Sequence, residues 1–137
     1  MKKFILLLLL PLLVFSADKG RETFKEGVEL ANQGRYDEAI VKLKQVLDYG
    51  SLNADAHLNL AIVFANKNDY DSAVKEAELA ATARPDSLTT QYLLGMLYEK
   101  KNNNAKALAA WQKVLTLGPR ETMKELAEKH VKRLQGR

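Results

Sequence analysis

Residues 54–87 read ADAHLNLAIVFANKNDYDSAVKEAELAATARPDS, and this stretch sets the register for the rest of the chain. Moved by 34 residues in either direction, its small residues fall on small residues. Gly27, Ala61 and Gly95 align, as do Ala39, Ala73 and Ala107. Leu30, Phe64 and Tyr98 supply one large side chain at a recurring place. Leu60 and Leu94 supply another, where the first unit has Glu26. Pro85 and Pro119 close the second and third units. A fixed period of this length is the signature of stacked supersecondary units, each too small to bury its apolar face alone.

Within a unit the spacing is helical. Leu60, Ala61 and Phe64 share one face by the i, i+3, i+4 rule. The turn formers Asn66, Lys67, Asn68 and Asp69 then interrupt the pattern. Ala73, Val74, Ala77 and Ala80 resume it, and Pro85 ends it because proline lacks an N–H and its ring crowds the preceding turn. Each unit therefore reads as helix, short turn, helix, stop. Small residues at 61 and 73 allow the paired helices to approach closely.

At these positions the sequence resembles the tetratricopeptide repeat family. The third unit carries Leu94, Gly95, Tyr98, Ala107, Trp111, Val114 and Pro119; the central one carries Leu60, Ala61, Phe64, Ala73, Ala77, Ala80 and Pro85. The first, residues 20–53, matches through Gly27, Leu30 and GRYDEAI (34–40), and departs at Thr23, Glu26 and Ser51. The resemblance implies an all-α fold, an α-solenoid of three helix-turn-helix pairs over residues 20–53, 54–87 and 88–121. Residues 122–137 follow as a capping helix and basic tail.

The ends of the chain differ from its middle. Lys2 and Lys3 precede FILLLLLPLLVF (4–15) and then Ser16 and Ala17. A basic start, a short apolar run and small residues after it describe a secretory signal peptide, with cleavage expected after Ser16 and Pro11 opposing a membrane-spanning helix. Residues 1–16 are thus expected to lie outside the fold, and the protein to be exported, to the periplasm of a bacterium. A short uncleaved anchor is the alternative. The chain has no cysteine, which excludes disulfides, thiolate metal sites and a lipidated N-terminal Cys. At the other end, Met123, Leu126, Ala127, Val131 and Leu134 form one apolar stripe, as a cap on the last stacking face requires.

Charge and motifs limit the function classes. The formal net charge is +4, half of it on Lys2 and Lys3, too mild to argue for nucleic acid. The tail of residues 129–137 has four cations and no aromatic residue for stacking bases, and allows only a weak contact with an anionic lipid surface. No H-E-x-x-H, P-loop, dinucleotide turn or nucleophile elbow is present. His57 falls at a packing position and His130 at the margin of the capping stripe; neither has a ligand triad nearby in sequence. Glu76, Glu78 and an i, i+4 pair of Glu125 with Lys129 read as solvated helix faces. No enzyme, cofactor or metal is indicated.

The first helix of each unit has more apolar residues than stacking needs. Leu58, Ile62 and Ala65 form a second stripe; Phe24, Val28 and Ala31 repeat it, as do Tyr92 and Met96, with Glu99 in the place of the small residue. In the family these positions line a concave groove that holds a partner peptide. The resemblance therefore implies a groove of Phe24, Val28, Leu58, Asn59, Ile62, Tyr92, Met96 and Glu99, with Asn59 and Tyr92 able to hydrogen-bond a ligand backbone. Family members that grip acidic chaperone tails use Lys, Asn, Asn, Lys and Arg where this chain has Phe24, Val28, Asn59, Thr89 and Leu93. Only Asn59 agrees, so an apolar protein or peptide partner is expected. The second reading is a structural scaffold in which the same faces mediate self-association.

Overall fold

The computed structural model describes residues 6–136, with side chains from residue 18 onward. Seven helices follow in order: α1 (Leu6–Asn32), α2 (Tyr36–Leu47), α3 (Asn53–Asn66), α4 (Tyr70–Ala83), α5 (Leu88–Lys100), α6 (Asn104–Thr116) and α7 (Glu121–Gly136). Helices α1 and α2, α3 and α4, and α5 and α6 pack as pairs, and each second helix packs on the first helix of the next pair. Helix α3 also touches α1 and α5, so the first helices lie side by side along one face of a solenoid.

The turns inside the pairs are built at the same period as the helices. Gly34, Asn68 and Asn102 occupy equivalent places and all adopt the left-handed conformation, with φ of 75°, 61° and 56°. Glycine does this without steric cost and asparagine with little, which explains why these residue types recur there. The next residue returns its N–H to the end of the first helix: Arg35 to the Leu30 carbonyl, Asp69 to Phe64 and Asn103 to Tyr98, at 2.8–2.9 Å. These bonds satisfy carbonyls that the helix end would leave without partners. Asp69 and Asn103 then cap the second helix, accepting from the N–H of Ser72 and Lys106, whereas Arg35 offers no such cap in the first pair.

Small residues decide how closely a pair approaches. A Cβ on Gly27 would lie 2.9 Å from Leu43 Cγ, and one on Gly95 only 2.7 Å from Trp111 Cε2. In the central pair Ala61 and Ala73 are both fully buried. The core runs through three adjoining groups: Ala39, Leu43, Leu60 and Val63; then Ala61, Ala73, Ala77, Leu94, Leu97, Tyr98, Ala107 and Ala110; then Trp111, Val114 and Ala127. Half-buried Phe64 packs against the first two groups and Leu134 against the last two, which makes the core continuous.

Helix α3 is apolar on more of its surface than the sequence pattern assigned to stacking. Leu60 and Val63 are buried on the α2 side and Ala61 toward α4, and Ala56 is buried as well. A first helix in the middle of a solenoid packs on two second helices at once, so its buried face is wide.

Helix α1 runs without interruption from Leu6 through Pro11 into the first pair. Proline removes one N–H, and the leucines around it are strong helix formers. Lys2 and Lys3 lie outside the described residues. Among the described residues no helix is long and apolar enough to cross a membrane. Helix α7 packs on α6, with Met123, Val131 and Leu134 against the Trp111 group.

Candidate functional site

Positions 28, 62, 96 and 130 are equivalent along the array, and carry Val28, Ile62, Met96 and His130. Val28 is half-buried against Leu43, Leu60 and Val63, and Phe24 packs in the same group. Ile62 and Met96 remain open, with 37% and 38% of their surface exposed. Ala65, expected in the open stripe, packs against the central core group, and Leu58 is half-buried. The apolar surface that stays accessible on the first helices is therefore narrower than the sequence pattern implied, and centres on Ile62 and Met96.

The polar residues of that face are engaged within the chain. Asn59 Nδ2 donates to the Asp55 carbonyl at 2.9 Å. Asp55 receives two N–H bonds from Arg84, at 2.9 and 3.1 Å. Tyr92 packs edge-on against Trp111, with ring centroids 5.3 Å apart. Glu99, expected simply to stand where the other units have alanine, is the hub of a cluster at the α5–α7 end. Its Oε1 accepts from Trp111 Nε1 at 2.7 Å and pairs with His130 Nδ1 at 2.5 Å, while Oε2 pairs with Arg133. His130 stacks on the Trp111 ring, at a centroid distance of 4.2 Å. A fully buried indole N–H needs an acceptor, and Glu99 supplies it at the cost of its place in the apolar stripe.

This cluster shapes the surface. Met96, Glu99, Lys100, His130 and Arg133 line a cleft of roughly 300 Å³. A second, of roughly 670 Å³, adjoins it across Glu99 and Arg133 and is completed by Asn102, Asn104 and Leu134. His130 and Arg133 were not among the expected site residues. A signal for them existed: Arg133 follows Glu99, and His130 follows Met96, by one repeat period, so α7 stands in the register of a fourth first helix.

Two other acidic residues expected on solvated helix faces bond to neighbouring helices, Glu76 while largely buried and Glu78 while still exposed. Glu76 pairs with His57 Nδ1 at 2.7 Å between α3 and α4, with both side chains largely buried. Glu78 accepts from the Tyr98 hydroxyl at 2.5 Å and from Lys106 at 3.2 Å, joining the second pair to the third. The Tyr98 hydroxyl, and after it Lys106, hold the Glu78 carboxyl below its ordinary range against the opposing effect of burial. Burial, then the bond to Glu78, pushes the Tyr98 phenol well above its own. The expected Glu125–Lys129 pair is replaced by Glu121 with Lys124 at 3.6 Å. Among the described residues no three His, Asp or Glu side chains converge as metal ligands.

Family models of the tetratricopeptide repeat match residues 24–88 and 89–117. The chain belongs to the tetratricopeptide repeat family. Its three helix pairs and α7 are the solenoid of that family. The array is similar to the tetratricopeptide repeat domain of Arabidopsis OM64, with a TM-score of 0.76 at 16% identity, covering 88% of this chain and 98% of the other. It is also similar to the Yersinia enterocolitica type III secretion chaperone SycD in complex with a peptide of the translocator YopD, with a TM-score of 0.77 at 14% identity, covering 86% and 93%. Among curated proteins, Photosystem I assembly protein Ycf3 of Prochlorococcus marinus (strain MIT 9312) is 26% identical over 113 residues, 70% of this chain. The chain spans 65% of the length of that relative.

Proposed function

We propose that this tetratricopeptide repeat protein is a non-enzymatic adaptor or assembly factor of the cell envelope, which holds an apolar peptide or helix of a partner on its first-helix face. The observation that carries the reading is the pair Ile62 and Met96, two large apolar side chains left exposed at equivalent positions of neighbouring units. Contiguous apolar surface on a rigid solenoid is a docking surface for a helix or an extended segment. The structural neighbour solved with a translocator peptide and the curated relative named for assembly of a photosystem support the reading by analogy. Export rests on Lys2, Lys3 and the apolar run of residues 4–15; the mature protein found in the periplasm would begin at Ala17.

The scaffold reading, in which copies stack end to end, is disfavoured by Lys129. It stands one period after Gly95, at the place where a small residue admits the next helix, and it is exposed. A lysine there blocks a fourth second helix or a second copy from continuing the array.

Site-specific photocrosslinking in the native host tests the proposal. A crosslinking side chain at position 62 or 96 is expected to trap the same partner. Controls at Val41 and Leu79, exposed apolar residues on second helices, are expected not to. Equal trapping from all four positions, or adducts only with a second copy, would overturn the reading.

A further inference from the structure

Charge on the first-helix face is uneven. Of the carboxylates near the Ile62–Met96 pair, Asp55 is neutralised by Arg84, and Glu99 is shared among Trp111, His130 and Arg133. Of the side chains that line the two clefts at the α5–α7 end, those without a partner are cationic or neutral; Glu125 and Glu128 of α7 are exposed and line neither cleft. The Lys100 side chain lines the cleft and forms no ion pair or hydrogen bond among the described residues. Arg133 engages Glu99 and His130 through Nη2 alone, which leaves Nε and Nη1 without acceptors. The side chains of Asn102 and Asn104, in the adjoining cleft, have no bond within the chain.

Resting on the groove reading above, we infer that the partner segment is apolar where it crosses Ile62 and Met96 and acidic where it reaches α7. Its Asp or Glu side chains enter the two clefts and take Lys100 Nζ, Arg133 and the Asn102 and Asn104 amides as donors. Arginine suits this task because its guanidinium accommodates more than one carboxylate at a time. A basic segment would meet Lys100 and Arg133 with no carboxylate available, because both oxygens of Glu99 are already used. Like charges brought together in this way exclude the wrong partner as effectively as unlike charges favour the right one. These donors are distinct from the positions of the chaperone-tail clamp, which this chain does not keep.

The test uses three fluorescent helical peptides with one shared leucine face, differing only at one end: Glu and Asp, Gln and Asn, or Lys. Each is titrated with the full chain by fluorescence anisotropy at low and at high salt. The acid-ended peptide is expected to bind about three- to tenfold tighter than the neutral one, as two exposed ion pairs provide. The lysine-ended peptide should be weakest, and the differences should close at high salt. Lys100→Glu should abolish the preference for the acidic end while the chain still melts cooperatively and still binds the neutral peptide. Ile62→Asp should weaken all three. If all three bind alike, depend on Ile62 and ignore Lys100→Glu, the groove stands and its acidic selectivity is refuted. If none binds, both readings fall. Lys100-dependent binding to phosphatidylglycerol vesicles without a peptide preference would assign the cations to a lipid surface. Self-association abolished by Ile62→Asp and Lys100→Glu would assign the face to a second copy. Either result overturns the inference.

Discussion

Adding a single carbon at Gly95 tests the tightest site that a described glycine occupies. The Cβ of Gly95→Ala would lie 2.7, 2.9 and 3.0 Å from Trp111 Cε2, Cδ2 and Nε1, well inside the usual ~3.5–4 Å separation of nonbonded atoms. The indole has nowhere to move. His130 is stacked on it, Tyr92 meets it edge-on, and its N–H is held by Glu99. Overpacking of this kind costs ~1–3 kcal/mol, and a stretched Trp111–Glu99 bond adds ~1 kcal/mol. Alanine recovers ~1 kcal/mol through its better helix propensity, so the net loss is about 1–3 kcal/mol. Trp111 is the chain's only tryptophan, so its emission during urea unfolding reports on this contact directly. The expected result is a lower midpoint, an unchanged m-value and a shifted native emission maximum. Gly27→Ala is the comparison: its nearest neighbours are the Cγ and Cδ2 of Leu43, at 2.9 and 3.0 Å, in an aliphatic side chain held by no hydrogen bond or ring stacking. It should lose less than half as much. An unchanged or raised midpoint for Gly95→Ala, with native emission unaltered, would refute the packing argument.

Other perturbations probe the links between units. The folded chain keeps the Tyr98 proton while the unfolded chain releases it near pH ~10, so stability is complete below that pH and falls above it, by up to ~1.4 kcal/mol per pH unit. Urea midpoints from pH 8 to 11 should fall less steeply for Tyr98→Phe than for the wild type; parallel curves would sink the assignment. Glu78 acts in the opposite sense, since its lowered pKa supplies stability above its ordinary range that is lost on acidification, and Tyr98→Phe should weaken this limb too. Glu99→Ala leaves the buried Trp111 N–H without an acceptor and should cost ~1–3 kcal/mol. Limited trypsin digestion should then cleave at Lys129, Lys132 and Arg133 before the rest of the array; uniform digestion would mean that Glu99 does not anchor α7. Ala73→Leu, at the buried contact with α3, should lower the thermal midpoint by an overpacking cost of ~1–3 kcal/mol, and a near-wild-type melt would show that the pair has room to spare.

The fold was legible because repetition makes each unit a check on the others. Ala61 between Gly27 and Gly95, and Asn68 between Gly34 and Asn102, carry one structural demand each, stated three times. The wide buried face of α3 was less legible, because Val63 and Ile62 are adjacent β-branched residues and the sequence alone does not say which of them meets α2. The partners of charged residues were least legible. His57 with Glu76 and Tyr98 with Glu78 cross between helices about 20 positions apart, where local i, i+4 rules have no reach.

Departures from the period are where this chain specialises. At position 99 the alanine of the earlier units becomes Glu99, and one period later Arg133 stands opposite it. At position 130 the aliphatic series Val28, Ile62, Met96 gives way to His130, whose ring can cover Trp111 and still reach Glu99. At 129 the small residue gives way to Lys129, which is exposed. Taken separately, each substitution breaks the pattern of a stacking helix. Together they convert a fourth first helix into a cap, seal the only tryptophan, and use up both oxygens of the carboxylate they introduce. An array that simply ended would expose the apolar face of α6. One capped by a fully aliphatic helix would bury it but present no polar chemistry at this end of the groove. With Glu99 satisfied internally and Arg133 only partly engaged, the cap leaves donors beside Met96, and the charge selectivity inferred above rests on them.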